Sequence, residues 1–493
     1  MKELFLDCRQ INPSDNSPAG FKYTNNDMID YGLDTVICFC KKEYPEDLTY
    51  GDLKEFSDIL GKCLLAPGLT GQHSVYYTMN FGAVNPSAKS ENKAEFAAQV
   101  ARSYLYESEE PNNTCIYCGR PAIIRGFRNL IPMLTGEGVI NFFPYGDAGF
   151  PICGPCLFAV MSLTVGAPMI SGRMLYIGCN LRVIVQEFIR AWLDKFSTRL
   201  QMAIAAGDKL EKIGSPLSRV GEVIFKVERL KDEINEDHDL KELDVRVYHL
   251  TNSGQGPAAD IYYLPMSVVR FARIARKDHN LTWSKLIKQG RQLPDKKAPA
   301  ADSADFPRNY FYEDLFRLPE RSAHFIRTYL LRQALRRGGG KSDPRVNYNS
   351  LMEAELVSWG LVELFLKEVT GMEQARIKVL RELGDAIADH IMITDDRALF
   401  GRIYRINKFG AVRMLLLKMS RDKILKGDAP VVSFDGFITA FEEGEELARI
   451  DWHLAWDLVI IRLIEILHQK GWLQKNKEEL MVEQESEIDE AEG

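Results

Sequence analysis

Two cysteine pairs limit what this chain can fold into more than any other feature. Cys115-Ile-Tyr-Cys118 and Cys153-Gly-Pro-Cys156 stand thirty-four residues apart. Each pair forms a tight knuckle presenting two thiolates on one side, and two knuckles close a tetrahedral four-sulfur site of the structural kind. Gly119 follows the first knuckle and Gly154 lies inside the second, where backbone wrapping closely round a metal favours residues without a Cβ. The spacer exceeds the roughly fifteen to twenty residues of a common zinc ribbon. Its glycines and prolines (Gly126, Pro132, Gly136, Gly138, Pro144, Gly146, Gly149) predict an inserted hairpin or loop. One structural zinc ion held by Cys115, Cys118, Cys153 and Cys156 is the expectation. A redox reading competes for the second pair, since Cys-Gly-Pro-Cys is also the thioredoxin-type motif and the apolar run Leu157 to Thr164 follows it as a helix would. Against it, a redox pair needs no second CxxC, no Trp precedes Cys153, and no compact βαβ pattern frames it.

At 493 residues the chain has room for several domains, and its 46% hydrophobic and 27% charged content is ordinary for a soluble protein. No charged-then-apolar signal opens it. Residues 151–172 lack charge but are broken by Gly, Pro and Ser, which predicts a buried core segment and no membrane span. The other cysteines (Cys8, Cys38, Cys40, Cys63, Cys179) show no framework spacing, which suits buried thiols in a reducing cytoplasm. Eight carboxylates and no basic residue lie between Glu478 and Gly493; without them the net charge of −7 becomes +1. That run reads as an acidic, disordered tail.

Taken in order, the apolar run Thr35 to Cys40 and its flanking turn residues predict strands in an α/β region. Residues 64–95 alternate aromatic and polar side chains between glycines, a hairpin or exposed-loop composition whose Gln72, Asn80 and Asn85 are candidates to read base edges. Arg120, Arg125 and Arg128 interrupt the otherwise uncharged cysteine segment; they either meet phosphate or keep the module soluble. Leu181 to Met202 has helical spacing, Val220–Val227 and Val245–Leu250 read as two strands, and Ile261–Leu264 as a third. A basic helical stretch with Arg270, Arg273 and Arg276 follows, then a linker-like composition at 290–308. A helix at about 318–337 carries Arg332, Arg336 and Arg337 before a Gly-rich stop.

From about Ser350 to Trp472 the pattern is helical. Leu380, Leu383, Ile387 and Ile391 form one stripe, and Leu447, Ile450, Leu454, Leu458 and Ile461 another, predicting a helical bundle. Between them Arg402, Arg405, Lys408, Arg413, Lys418, Arg421, Lys423 and Lys426 share one stretch with a single acid, Asp422. Such bias favours a polyanionic partner. No metalloprotease, serine-hydrolase or phosphate-loop motif occurs. Asp385, Asp389 and His390 lie close in sequence, but His390 falls about 100° round a helix from Asp389, so salt bridging is the better reading. The expected architecture is α+β and multidomain: an N-terminal α/β domain (1–114), a zinc-ribbon segment (115–156), the rest of the α/β body with basic helices (157–345), a C-terminal helical bundle (346–474) and the acidic tail (475–493). The expectation is a binding protein, not an enzyme.

The paired CxxC motifs, the turn Asn252-Ser-Gly-Gln-Gly-Pro257, the stretch Leu315-Phe-Arg-Leu-Pro-Glu-Arg321, and Trp359 to Gly371 leading into Leu383-Gly-Asp-Ala-Ile-Ala388 resemble the CXXC–CXXC large subunit of type I-B CRISPR Cascade. The resemblance runs in order from the cysteine segment to the helical C-terminus and is loose over residues 1–110. It implies a non-catalytic subunit that contacts the CRISPR guide RNA, recognises the motif beside a double-stranded DNA target (the PAM), and supports R-loop formation. The implied partners are backbone and handle-binding Cascade subunits, small subunits, and a trans-acting helicase–nuclease or transposition proteins. It further implies that the helical C-terminus resembles the small subunit, which such genes also produce from an internal start; Met352 and Met372 are suitably placed. A zinc-ribbon nucleic-acid scaffold outside CRISPR and a thiol oxidoreductase using Cys153 and Cys156 are the alternatives.

Overall fold

The computed structural model of the protein describes residues 5, 8–108, 113–136, 148–205, 215–232, 244–252, 257–291, 308–331, 358–443, 447–476 and 480. Arg332, Arg336, Arg337, Met352, most of the 290–308 stretch, the interior of the Asn252–Pro257 turn and the acidic residues 481–493 lie outside the described residues. The chain divides into two units, 1–266 with 299–308, and 267–298 with 309–493. That division falls inside the segment 157–345, which composition treats as one body.

The first unit contains β1 (Cys8–Gln10), α1 (Asp27–Phe39), α2 (Tyr50–Leu65), α3 (Thr70–Tyr77), α4 (Ser90–Ala101), β2 (Tyr106–Ser108), β3 (Ile124–Gly126), β4 (Phe150–Ile152) and α5 (Gly154–Gly166). It continues through β5 (Met169–Ile170), β6 (Arg173–Cys179), α6 (Arg182–Ala205), α7 (Pro216–Asp232), β7 (Val245–Thr251) and β8 (Ala258–Leu264). Helix α5 carries no charge and is buried throughout except at Pro155, so it sits at the centre with α1, α2, α4 and α6 around it. Its approach to α1 is too close for side chains at the crossing. A Cβ on Gly32 would strike the Ala159 carbonyl, and one on Gly166 would strike Thr35. The Tyr31 and Tyr77 hydroxyls donate to the carbonyls of Gly166 and Val160, which satisfies both buried hydroxyls. An antiparallel sheet in the order β5-β6-β7-β8 lies in the same unit, and Tyr176 and Tyr248 stack across β6 and β7 at 4.7 Å. Asp27, in the first turn of α1, accepts from Arg246 and Tyr248 of β7 and so pins the helix to the sheet.

Three expectations give way here. Thr35 to Phe39 belongs to the end of α1, with Cys40 as its C-cap, and not to a strand: Asn26 caps the start of that helix by accepting from the Ile29 N–H, and burial of both faces outweighs the β preference of Thr35, Val36 and Ile37. Residues 64–95 hold α3 and the start of α4 where a hairpin or exposed loop was expected, and only the turns at 78–89 between the two helices have loop character. Val220 to Val227 lies in α7, where Leu217, Val220, Val223 and Ile224 are buried at helical spacing. The adjoining strands β7 and β8 form as the alternation predicts.

Helix α3 also buries His73 completely, with no partner for either ring nitrogen among the described residues. Burial alone drops its pKa from the ordinary 6.5 to about 3. Between those values the unfolded chain binds a proton that the folded chain does not, so stability contributed by neutral His73 is present above pH 6.5 and is lost as pH falls. His73→Leu is therefore expected to flatten the acid side of the stability profile by up to about 1.4 kcal/mol per pH unit between pH 6 and 4. Urea titrations of both proteins across that range measure it; parallel profiles would contradict the assignment.

The second unit contains α8 (Met266–Asp278), α9 (Asn280–Gln289), α10 (Tyr310–Leu315), α11 (Ser322–Phe325), α12 (Trp359–Phe365), α13 (Gln374–Thr394), α14 (Arg397–Tyr404), α15 (Phe409–Ile424) and α16 (Phe434–Phe441). A two-residue hairpin, β9 (Glu442–Glu443) with β10 (Leu447–Ala448), leads into α17 (Trp452–Gln469) and α18 (Trp472–Lys475). Phe271, Trp283, Phe311, Phe325 and Phe365 form one aromatic cluster through edge and stacked contacts. The long pair α13 and α17 forms the other core, and the stripe Leu380, Leu383, Ile387 and Ile391 is buried as expected. Of the second stripe, Leu458 and Ile461 are buried in α17, but Leu447 is 69% and Ile450 98% exposed. The helix starts only at Trp452, which leaves Leu447 and Ile450 outside the stripe. Mixed helix and sheet in the first unit and a bundle-like helical second unit together make this an α+β multidomain chain.

Candidate metal centre and basic groove

The first knuckle closes through backbone bonds. The Cys115 N–H donates to the Arg120 carbonyl at 2.7 Å and the Gly119 N–H to the Cys115 carbonyl at 2.9 Å. Gly119 has φ +74°, the left-handed conformation that glycine adopts without penalty. The second knuckle is the start of α5: Leu157 donates to the Cys153 carbonyl at 3.0 Å, and Pro155 occupies the first turn, where no N–H is needed. A Cβ on Gly154 would strike the Ser103 carbonyl, so the glycine lets the knuckle settle against the preceding chain. Antiparallel pairing of β3 with β4, Ile124 opposite Ile152, connects the two knuckles. This is the base of the expected insertion; residues 137–147 of it lie outside the described residues.

The four sulfurs lie within 4.8 Å of one another, with the Cys118 and Cys153 sulfurs 3.3 Å apart. A tetrahedral ion with metal–sulfur bonds of about 2.3 Å holds its sulfurs about 3.8 Å apart, inside that range. Cys115, Cys153 and Cys156 are buried and Cys118 is exposed. Hydrogen bonds from the other three thiols hold Cys115 well below the ordinary thiol range. Cys118 comes down to about 7, its contact with Cys115 acting upward and those with Cys153 and Cys156 downward. Cys153 and Cys156 are pushed up, chiefly by their contacts with Cys115 and Cys118. Four thiolates this close repel one another, and a bound cation is what allows all four to ionise together. The cluster can hold a metal ion.

The three arginines of this segment brace it. Arg120 donates to the Gly20 carbonyl, and Arg125 to the carbonyls of Ala148 and Gly149. Arg128 reaches Asn252, donating to its side-chain oxygen at 3.1 Å and its carbonyl at 2.7 Å. Asn252 is fully buried and returns its amide to the carbonyls of Tyr76 and Arg128. It joins α3, the cysteine segment and the end of β7. Composition marked Asn252 only as a turn residue, because its partners are distant in sequence. Gln72 is buried inside α3 and donates to the Thr164 carbonyl at 3.1 Å. It cannot read a base edge from there, which corrects its assignment to an exposed loop. Asn80 is exposed and Asn85 half-exposed in the turns after α3.

In the second unit Arg273 and Arg276 are half-buried on α8. The run from Arg402 to Lys426 instead forms a solvent-facing groove of about 940 Å³ between α14 and α15. Five cations (Arg402, Arg405, Lys408, Lys418, Arg421) and one carboxylate, Asp422, line it over an apolar floor that includes Ile406 and Met414. Among the described residues no carboxylate pairs with Lys408, Lys418 or Arg421, while Arg402 sits 3.7 Å from Asp396. Lys408 precedes α15 without a side-chain cap, so the positive end of that helix dipole opens into the groove. Arg413 lies elsewhere on α15, beside an adjoining cavity of about 480 Å³ lined by Leu416, Phe434 and Phe437.

No family model, curated protein or solved structure matches the chain. Asp385 accepts from Arg462, which also bonds Glu465, so that carboxylate belongs to an ion-pair network between α13 and α17. Burial and the nearby Lys423 and Lys426 lower the pKa of His390. Among the described residues no helix is long and apolar enough to cross a membrane.

Proposed function

We propose that the protein is a non-catalytic nucleic-acid-binding subunit, with one structural zinc in its N-terminal unit and a phosphate-tracking groove in its C-terminal unit. The observation that carries this reading is the groove, where five cations face one carboxylate over an apolar floor. Cations spaced along a groove follow a phosphate backbone, and exposed apolar atoms beneath them accept unstacked bases. The resemblance to the large subunit of type I-B CRISPR Cascade supplies the specific form of the proposal. In that form the groove holds a displaced or guide-associated single strand, other parts of the subunit recognise the target-adjacent motif and recruit the nuclease, and the chain works in the cytoplasm.

Two measurements test it. The triple charge reversal Arg402→Glu, Lys408→Glu and Arg421→Glu is expected to weaken binding of a fluorescent single strand at least about 100-fold at moderate salt, and to flatten its log–log salt dependence by about 2. Unchanged affinity in a folded triple variant would remove the groove from nucleic-acid binding. Co-expression with a guide RNA and neighbouring Cascade subunits, followed by purification through this chain, separates the readings. Stoichiometric RNA supports the Cascade form, whereas strand binding without guide RNA or partners favours a scaffold outside CRISPR.

A further inference from the structure

The cavity of about 480 Å³ between α15 and α16 adjoins the basic groove, and Leu417 lines both. Its volume is that of a small-ligand pocket, and its wall is apolar except for Arg413, Ser420, Ser433 and Glu442. The two serines are already engaged, their hydroxyl oxygens accepting from the Val431 and Gly436 N–H groups at 3.2 and 3.1 Å. Glu442 is not. It is only 5% exposed, and its Oε1 has no hydrogen-bond partner among the described residues. The backbone fixes it in place: the Glu442 N–H donates to the Ile438 carbonyl at the end of α16, and its own carbonyl accepts from Arg449 Nε at 3.0 Å. A buried carboxylate oxygen without a donor is costly to the fold, and in a cavity it marks where a ligand supplies the donor. Two rings share the same wall. Phe437 packs against Phe409 and Phe441 at 6.1 and 5.4 Å, whereas Phe434 is 75% exposed and meets no other ring among the described residues.

We propose that this cavity is a guanine pocket: it takes one unstacked guanine from a strand lying in the adjoining groove, with Glu442 accepting from the base and Phe434 stacking on it. A carboxylate accepts and does not donate. Guanine is the one common base whose pairing edge carries two neighbouring donors, N1–H and the N2 amino group, so it meets Glu442 without turning a lone pair towards it. Adenine and cytosine each set one amino group beside a ring-nitrogen acceptor, and thymine sets one N–H between two carbonyls. The apolar wall and the exposed Phe434 ring supply stacking that any base can use; the carboxylate supplies the choice among bases. Arg413, exposed on the same wall, is placed to meet the phosphate of the captured nucleotide. The pocket therefore adds a base preference to a groove that otherwise tracks phosphates without regard to sequence. This inference rests on reading the Arg402–Arg421 groove as a strand-binding surface.

The probes are fluorescent oligothymidines of about twelve nucleotides, one of thymidine alone and the others with a single central guanine, adenine or cytosine. The full chain is expected to bind the guanine strand about tenfold more tightly than the rest. Replacing that guanine by inosine, which lacks the N2 amino group, is expected to remove most of the gain. Glu442→Gln, whose amide can turn a donor towards the same edge, is expected to bring the ratio of guanine-strand to oligothymidine affinity down to about one. Phe434→Ala, at an exposed position where folding is not at stake, is expected to weaken the guanine strand more than oligothymidine. Equal affinity of the full chain for all four strands overturns the pocket and leaves the groove reading standing. A guanine preference that survives both substitutions also overturns it, since the base is then read elsewhere. Failure of every strand to bind overturns the groove reading together with the pocket. Guanosine monophosphate bound as tightly as the guanine strand would overturn the strand form and assign the cavity to a free nucleotide.

Discussion

Cys153→Ser and Cys115→Ser are each expected to empty the four-cysteine cluster and to unfold the first unit as a whole. The reason is where the cysteines sit. Cys153 begins α5, the uncharged helix around which α1, α2, α4 and α6 pack, and Cys115 ties the β3–β4 insertion to that same point. A structural zinc in a four-thiolate site contributes apparent binding energies of about 10–16 kcal/mol at neutral pH, comparable to the roughly 5–15 kcal/mol that holds a whole domain together. Losing one buried thiolate removes much of that and leaves three sulfurs crowded without a fully neutralising ion. Cys118→Ser is expected to be milder, since Cys118 is the exposed cysteine of the cluster and water can take the place of one sulfur around an ion held there. Metal analysis checks the first part: about one zinc per chain in the parent protein, near none in the Cys153 and Cys115 variants. Calorimetry checks the second, through loss of the first unit's transition and retention of the second's. A Cys153→Ser protein that melts like the parent would show that the cluster is not the structural anchor of α5. Full activity of the cluster as a dithiol, with no metal bound at any stage, would favour the oxidoreductase alternative.

The cysteine cluster is legible in the sequence because ligand chemistry and spacing survive almost any tertiary context. The same holds for long segments with one dominant period: α6, α13, β7 and β8 are where periodicity puts them. What escapes is structure set by distant partners. Thr35, Val36 and Ile37 have strand propensity, yet they are helical because Gly32 and Gly166 let α1 and α5 approach until both faces of α1 are covered. The partners that fix the run as helix, α5, α6 and β6, lie far from it in sequence. Gln72 and His73 look like polar loop residues, but α3 carries them inward, and only Gln72 finds a partner. Arg128 and Asn252 lie 124 residues apart in sequence, so neither composition nor spacing could join them. The basic run of Arg402 to Lys426 was visible as a charge bias; its shape as a groove with Arg413 outside it required the turn between α14 and α15.

Arg376→Ala is expected to be the most damaging single substitution in the second unit outside its apolar core, costing about 2 kcal/mol. The guanidinium is buried on α13 and makes a two-pronged pair with Asp451, at 2.7 and 2.8 Å, while also donating to the Ala440 carbonyl at 3.0 and 3.2 Å. One side chain thus joins the long helix α13 to the end of α16 and to the residue that starts α17. Burial acts to raise the Asp451 pKa, but the hydrogen bonds and charge of Arg376 outweigh it and hold the carboxyl below its usual range. Removing Arg376 leaves the Ala440 carbonyl without these donors and the half-exposed Asp451 without its paired charge. Arg376→Lys is not expected to rescue, because a single ammonium cannot span the carboxylate and the carbonyl as the planar fork does. Five of the six tryptophans, all but Trp192, lie in this unit, so tryptophan fluorescence in urea reports its unfolding directly. The double variant Arg376→Met with Asp451→Leu removes both charges and is expected to lose less than Arg376→Ala alone. Equal losses would mean that the Ala440 carbonyl, left without its donors in both variants, and not the unpaired Asp451 carboxylate, governs the stability of this junction.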